Sequence, residues 1–407
     1  MNLSSAALIL IDFQNEFFAA EGLIHRGGRG LLSEEARSAT LRNASLLLAK
    51  MRAAGRPVIW VNTVLRKDHL DSALPLLSRE AGLGPEQDFL VEGSWGAQVV
   101  DGVQPSEDDL VIIKKGPSAF QFTPLDRLLS NLAVDCCVIV SGGRFDGLAD
   151  SVRQAGALKY EVIIPADATG YPPDSMHLRN LENRARLTST VEVVEALDRV
   201  EPAIPRPARA ALLLIDLQND FVHPEGAQHR LGQNVPLTDA QRRTIVGNSC
   251  RLLAGAREAG MPIVFVTTSY RRDMLDSASP VVGATEATVA SGVDYLLAGS
   301  WGAQIVDGLE VREGDFMVGK KGRSAFGTTG LHRLLRNLGV RRCVVTGGGI
   351  HGCVEDTIRE GAGLSYGFDV AIDAVYEPDS PKLEVLSAHA RFKTTEELLQ
   401  ELPDRGS

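Results

Sequence analysis

Arg342-Cys343-Val344-Val345-Thr346-Gly347-Gly348-Gly349-Ile350-His351-Gly352-Cys353-Val354-Glu355-Asp356 passes from an apolar, β-branched run through a glycine-rich turn to a cysteine. The run reads as a buried strand, and Thr357-Ile358-Arg359-Glu360-Gly361-Ala362-Gly363-Leu364 beyond it reads as a helix. A cysteine therefore stands where a strand turns into a helix. Helix N-termini present unpaired N–H groups and the positive end of the dipole. That environment is expected to lower the thiol pKa, and the glycines let backbone N–H groups approach a substrate oxygen. Glu355 and Asp356 in the first turn oppose the thiolate. A lone cysteine after a strand is also an ordinary small core residue, so the decision rests on the rest of the chain.

The chain is a tandem duplication. Leu8-Ile9-Leu10-Ile11-Asp12-Phe13-Gln14-Asn15-Glu16-Phe17 returns as Leu212-Leu213-Leu214-Ile215-Asp216-Leu217-Gln218-Asn219-Asp220-Phe221. Gly93-Ser94-Trp95-Gly96-Ala97-Gln98 returns as Gly299-Ser300-Trp301-Gly302-Ala303-Gln304, and Lys114-Lys115-Gly116-Pro117-Ser118-Ala119-Phe120 as Lys320-Lys321-Gly322-Arg323-Ser324-Ala325-Phe326. The shift is 204 residues at the first motif (216 − 12) and 206 at the others (299 − 93 and 320 − 114). Whole domains are repeated, not short solenoid units. Residues 1–200 form the first domain, 201–208 a proline-rich linker and 209–407 the second domain.

Within each half, apolar strands alternate with helical segments. The strands are expected at Ala6–Ile11, Pro57–Asn62, Asp109–Ile113, Cys136–Val140 and Glu161–Ile164, and at their counterparts Ala210–Ile215, Pro262–Thr267, Asp315–Val318, Arg342–Thr346 and Asp369–Ile372. This pattern predicts an α/β fold in each half: a doubly wound, mostly parallel sheet with helices on both faces. Ligands bind such sheets at the C-terminal strand ends. Asp216, Lys320 and Cys353 all fall just past predicted strand ends, which points to one shared site.

A net charge of −10 over 407 residues argues against a nucleic-acid surface. No apolar run is long enough to span a bilayer, and the N-terminal segment lacks the basic start and cleavage site of a signal peptide. Five cysteines, an odd number, suit free thiols in a reducing compartment, so a cytoplasmic location is expected. None of the cysteine spacings is that of a zinc site.

Asp216, Lys320 and Cys353 supply what thiol-based amide hydrolysis needs. An aspartate near a lysine can take the thiol proton, and the cation steadies developing negative charge. Each alone has an ordinary structural reading, as a helix cap, a surface charge or a core thiol. His351, two residues before Cys353, is badly placed for a Cys–His dyad and reads as pocket lining.

These motifs together resemble the isochorismatase-like cysteine hydrolases, which include nicotinamidases, N-carbamoylsarcosine amidases, ureidoacrylate amidohydrolases and biuret hydrolases. The marks are Ile215-Asp216-Leu217-Gln218-Asn219-Asp220-Phe221, Lys320 four residues before Ser324-Ala325-Phe326, and Gly347 six residues before Cys353-Val354-Glu355. The resemblance covers both halves nearly end to end. It implies an Asp–Lys–Cys triad at Asp216, Lys320 and Cys353, an oxyanion hole from the N–H groups of Gly349 and Cys353, and a cis peptide at Gly348–Gly349. The Gly299–Gln304 motif resembles the carbamoyl-amide members. No Asp-x-His arrangement follows Asp216, so neither a metal nor another cofactor is expected. The partner would be a small carboxamide or carbamoyl substrate.

Candidates for lining the pocket are Phe221, Tyr270, Arg271, Trp301, Phe326 and His351, each with a core or surface reading beside it. An arginine of Tyr270-Arg271-Arg272-Asp273 could bind a substrate carboxylate in two-pronged fashion.

The first half departs at one position. Without a gap, Gly147 lies over Cys353 (353 − 206), while Asp12 and Lys114 remain. Cys136 and Cys137 belong to the preceding strand. Arg144 and Asp146 add charges that the second half lacks. A degenerate partner in a covalent pseudo-dimer, open to further homo-oligomerisation, is the first reading. True isochorismatases resemble this family with glycine at that position and hydrolyse a vinyl ether, which is the second reading. A non-catalytic binding or assembly module is the third.

Overall fold

The computed structural model describes residues 1–28, 32–73, 83–142, 147–199, 209–231, 237–278, 292–377 and 381–402. The expected linker lies outside them, as do Arg144 and Asp146. The chain divides into two compact units, Met1–Pro205 and Arg206–Ser407.

In the first unit the strands are β1 (Ala6–Ile11), β2 (Val58–Thr63), β3 (Leu110–Lys114), β4 (Cys136–Ser141), β5 (Glu161–Pro165) and β6 (Arg186–Thr188). They form one sheet of order β3-β2-β1-β4-β5-β6, and every pairing is parallel. The second unit repeats this with β7 (Arg209–Ile215), β8 (Ile263–Thr268), β9 (Phe316–Lys320), β10 (Val340–Gly347), β11 (Gly367–Ala371) and β12 (Ala390–Lys393), in the order β12-β11-β10-β7-β8-β9. Its pairings are parallel as well.

Parallel strands are covered on both faces, so their side chains are apolar on both. All six residues of β1 are buried. Leu8 and Leu10 enter one apolar layer, Ile9 and Ile11 the other. In β7, Leu212 and Leu214 face one layer, Leu213 and Ile215 the other. These runs are the signal that made the strands legible in the sequence. The edge strands β6 and β12 escaped it. They have three and four residues and mix charge with short apolar stretches, too little for a period to show.

The chain runs outward from β7 to β8 and β9, then returns to place β10 on the other side of β7. A cleft opens at such a reversal, beyond the C-terminal strand ends. Asp216 follows β7, Lys320 ends β9, and the glycine-rich turn follows β10.

Candidate active site

Three neighbouring strand ends supply one buried network. Asp216 follows β7 with φ +52, a left-handed conformation uncommon for a residue with a side chain. Its Oδ1 accepts from Thr268 Oγ1 at 2.8 Å. Lys320 Nζ stands 2.9 Å from Asp216 Oδ2 and donates to Thr268 Oγ1 at 2.7 Å and to Gly322 O at 3.1 Å. The parallel register that sets Thr268 beside Lys320 explains the contact. Asp216 and Lys320 are each only 1% exposed, so a charge lost from either would strand the other.

The turn after β10 brings in the sulfur. Gly347 and Gly348 have φ of +79° and +58°. A Cβ on Gly347 would lie 2.3 Å from Ile215 O, so glycine is required there. The Gly348–Gly349 peptide is trans, contrary to the cis bond the resemblance implied. The two left-handed glycines turn the chain instead. Gly349 O then accepts from Gly352 N at 3.0 Å and Val354 N at 3.2 Å, folding the loop over itself. The helix Cys353–Gly363 begins at the cysteine. The N–H groups of Gly349 and Cys353 have no acceptor among the described residues. Arg323 braces the loop, donating to His351 O at 2.5 Å and pairing with Asp356 at 3.1 Å.

Lys320 Nζ donates to Cys353 Sγ at 3.3 Å, and the charge of the Asp216 carboxylate bears on the same thiol. Burial, then the charge of Asp216, pushes the Cys353 thiol up to about 12, against the opposing pull of Lys320. This corrects the expectation that the helix N-terminus lowers it. Burial alone would push Lys320 down, but Asp216 and Cys353 hold it above its ordinary value. At neutral pH the site holds an ammonium and a protonated sulfur. The arrangement sets a base and a cation against one thiol, with unpaired N–H groups beside it.

The other expected residues are scattered. Tyr270 is buried, and burial raises its hydroxyl above its ordinary value against the opposing charge of Lys320. Phe221 packs edge-on against Tyr295, centroids 6.1 Å apart. His351 is half-buried with Nε2 3.9 Å from Glu377. Phe326 stacks on Tyr366 within the core beneath the helix, away from a pocket-lining role. Arg271 points to solvent and is paired with Asp273 at 2.7 Å. Trp301 is 45% exposed and meets His223 edge-on. Its motif serves the scaffold, because Trp301 O and Ala303 O accept from the Asn219 and Gln218 amides at 2.9 and 2.7 Å. A Cβ on Gly302 would overlap the Asp220 carboxylate, which explains that glycine.

Thr268, Tyr295 and Tyr376 went unread. Thr268 had a signal, since Thr63 repeats it. Tyr376 donates from its hydroxyl to Asp216 O at 3.2 Å, a contact between distant segments with no local mark. Among the described residues no group of three or more His, Cys, Asp or Glu is placed to hold a metal ion.

The first unit keeps the charged network. Lys114 Nζ is 2.9 Å from Asp12 Oδ2 and donates to Thr63 Oγ1 at 2.6 Å. Gly147 opens the next helix in place of the cysteine. A Cβ there would stand 3.6 Å from Asp12 Oδ2 and 3.1 Å from Pro117 O.

Ureidoacrylate amidohydrolase RutB of Methylobacterium radiotolerans is 29% identical over 188 residues, which is 44% of this chain and 71% of that protein. A cysteine hydrolase structure from Pseudomonas syringae aligns at 20% identity and TM-score 0.42, covering 49% of this chain and 94% of that one. The N-carbamoylsarcosine amidase of Thermoplasma acidophilum aligns at 22% identity and TM-score 0.38, covering 46% and 97%. The family model of the isochorismatase domain matches twice, over residues 6–196 and 210–393, and the chain thus belongs to the isochorismatase family, with two copies of the domain in tandem.

Proposed function

We propose that residues 209–407 form a cysteine amidohydrolase that cleaves a C–N bond of a small carboxamide or carbamoyl compound. The observation that carries this reading is the Cys353 sulfur 3.3 Å from Lys320 Nζ, a cation that itself stands 2.9 Å from Asp216 Oδ2. The amidohydrolase and amidase activities named for the similar proteins agree with it.

Because the resting thiol is protonated, its proton leaves as the sulfur attacks. Asp216 takes the proton while Sγ bonds to the carbonyl carbon. The oxyanion is held by the N–H groups of Gly349 and Cys353. Asp216 passes the proton to the departing nitrogen, the C–N bond breaks, and a thioester remains. Water then attacks the thioester carbon and gives a proton to Asp216. The C–S bond breaks, the acid product leaves, and the sulfur recovers its proton from Asp216. Lys320 stays charged throughout and keeps Asp216 basic and in place.

Residues 1–200 are read as a partner domain without this chemistry, since Gly147 supplies no nucleophile. No helix among the described residues is long and apolar enough to cross a membrane. The free state of all five cysteines agrees with work in a reducing compartment such as the cytoplasm.

The test is ammonia release over a panel of carbamoyl compounds and small carboxamides, run beside Cys353→Ala. Release by the native protein alone is expected. Full activity in the variant would refute the scheme.

A further inference from the structure

The two units differ in how each holds its aspartate. In the first, Asp12 Oδ1 accepts from Thr63 N at 3.0 Å and from Thr63 Oγ1 at 2.8 Å. In the second, Asp216 Oδ1 accepts from Thr268 Oγ1 at 2.8 Å. The Thr268 N–H goes to Gln218 Oε1 at 2.7 Å, and the Gln218 amide donates to Thr268 O at 2.8 Å. Gln14 grips Thr63 in the same two-sided way, at 3.1 and 2.8 Å. Among the described residues, the Thr268 hydroxyl is therefore the one hydrogen-bond donor to Asp216 Oδ1. The unit with the sulfur hangs its carboxylate on a side chain. The unit without it uses the backbone as well.

The hydrogen of that hydroxyl has one place to go. Lys320 Nζ donates to Thr268 Oγ1 at 2.7 Å, and an ammonium cannot accept. Thr268 thus accepts from Lys320 and gives its own hydrogen to Asp216 Oδ1. Its side chain is buried, and branching at Cβ restricts its rotation. The other carboxylate oxygen is left over. Asp216 Oδ2 accepts no hydrogen bond among the described residues, and the Lys320 charge stands 2.9 Å away. The same Nζ is 3.3 Å from Cys353 Sγ, so Oδ2 and the sulfur share one ammonium. In the first unit, a Cβ at the cysteine position would stand 3.6 Å from Asp12 Oδ2. In that sister scaffold it is this oxygen that faces the place of the nucleophile.

We propose that Thr268 is a positioning residue of the thiol site. By tying Oδ1 it turns Oδ2 of Asp216 toward Cys353, as the oxygen that takes the thiol proton. The proton passes from Sγ to Oδ2, and Thr268 keeps its own hydrogen throughout. The inference rests on the reading of Cys353 as nucleophile and Asp216 as its base.

The test uses the full chain with Thr268→Val, Thr268→Ser and Thr63→Val. Alkylation of Cys353 by iodoacetamide at pH 7 is followed by peptide mapping, with melting temperature measured beside it. Thr268→Val is expected to slow alkylation about tenfold, the worth of one hydrogen bond. Thr268→Ser keeps the hydroxyl and is expected to stay within about twofold of native. Thr63→Val is expected to alkylate at the native rate. Both valine variants remove an acceptor from a buried ammonium, so similar losses of melting temperature are expected. A merely structural role would lower the melting temperature and leave the rate alone. An unchanged or faster rate in Thr268→Val would overturn the proposal, as would a loss that Thr268→Ser does not restore. Should Thr268→Val fail to fold, Thr268→Ala is read by the same criteria. Ammonia release separates this inference from the hydrolase reading. No release from any carboxamide by the native protein, with the alkylation pattern intact, would refute the hydrolase and leave the positioning role. Cys353-dependent release that Thr268→Val keeps in full would overturn the positioning role and leave the hydrolase.

Discussion

Lys114 Nζ lies 2.9 Å from Asp12 Oδ2, the same separation as Lys320 Nζ from Asp216 Oδ2. One pair adjoins a thiol and the other does not, so the ion pair is part of the scaffold as well as of the proposed chemistry. Each pair is buried among strand ends, and each cation also donates to the threonine that closes the neighbouring strand.

Removing one member of a buried pair leaves an uncompensated charge. Lys114→Met is expected to destabilise the first unit by about 3–5 kcal/mol and to leave ammonia release unchanged. Lys320→Met is expected to cost the second unit as much and to abolish release. Urea unfolding monitored beside activity checks both. Loss of activity in Lys114→Met at temperatures where the protein remains folded would contradict the division of labour.

The nucleophile position alone does not make a site. Gly147→Cys places a Cβ 3.6 Å from Asp12 Oδ2, near a charged pair of the right geometry. The first unit lacks the hydroxyls, with Leu65 and Phe89 where the second has Tyr270 and Tyr295. In a Cys353→Ala background this substitution is expected to give a thiol that alkylates but hydrolyses about two orders of magnitude more slowly than the native site, because the substrate is poorly placed. Near-native ammonia release would show the first pocket to be intact.

Gly347→Ala tests the turn. Its Cβ would meet Ile215 O at 2.3 Å, with φ held at +79°. The backbone strain alone is worth about 1–3 kcal/mol, and the overlap displaces the loop that carries Cys353. Both melting temperature and ammonia release are expected to fall. Gly363→Ala, where a Cβ meets nothing within 4 Å, is the control.

The thiol pKa has a sign that can be read. Burial raises Cys353 to about 12 from an ordinary value of 9.0, so the fold favours the protonated form. The stability this contributes is full below about pH 9 and is lost as pH rises towards 12. Cys136 and Cys343 are raised as well, so the informative quantity is the difference between the native protein and Cys353→Ser. Ultraviolet thiolate absorbance assigned to Cys353 is expected to be absent at pH 8. A Cys353 thiolate step at pH 6–8 would sink the coupled attack described above.

By itself the sequence determined the duplication, the two parallel sheets and the approach of Asp216, Lys320 and Cys353. Those features follow from local patterns: apolar runs that need cover on both faces, and motifs that repeat at strand ends. The short edge strands β6 and β12 carried too few residues for such a pattern. Tertiary structure alone decided the rest of the site. Arg271 spends its charge on Asp273 in solvent, Phe326 belongs to the core, and the Tyr376 hydroxyl reaches Asp216 O from a segment far away in the chain. It also reversed the direction of the Cys353 shift. A helix N-terminus is a local feature and can be read from sequence. Desolvation and the charge of Asp216 are sums over non-local neighbours, and only packing sets them.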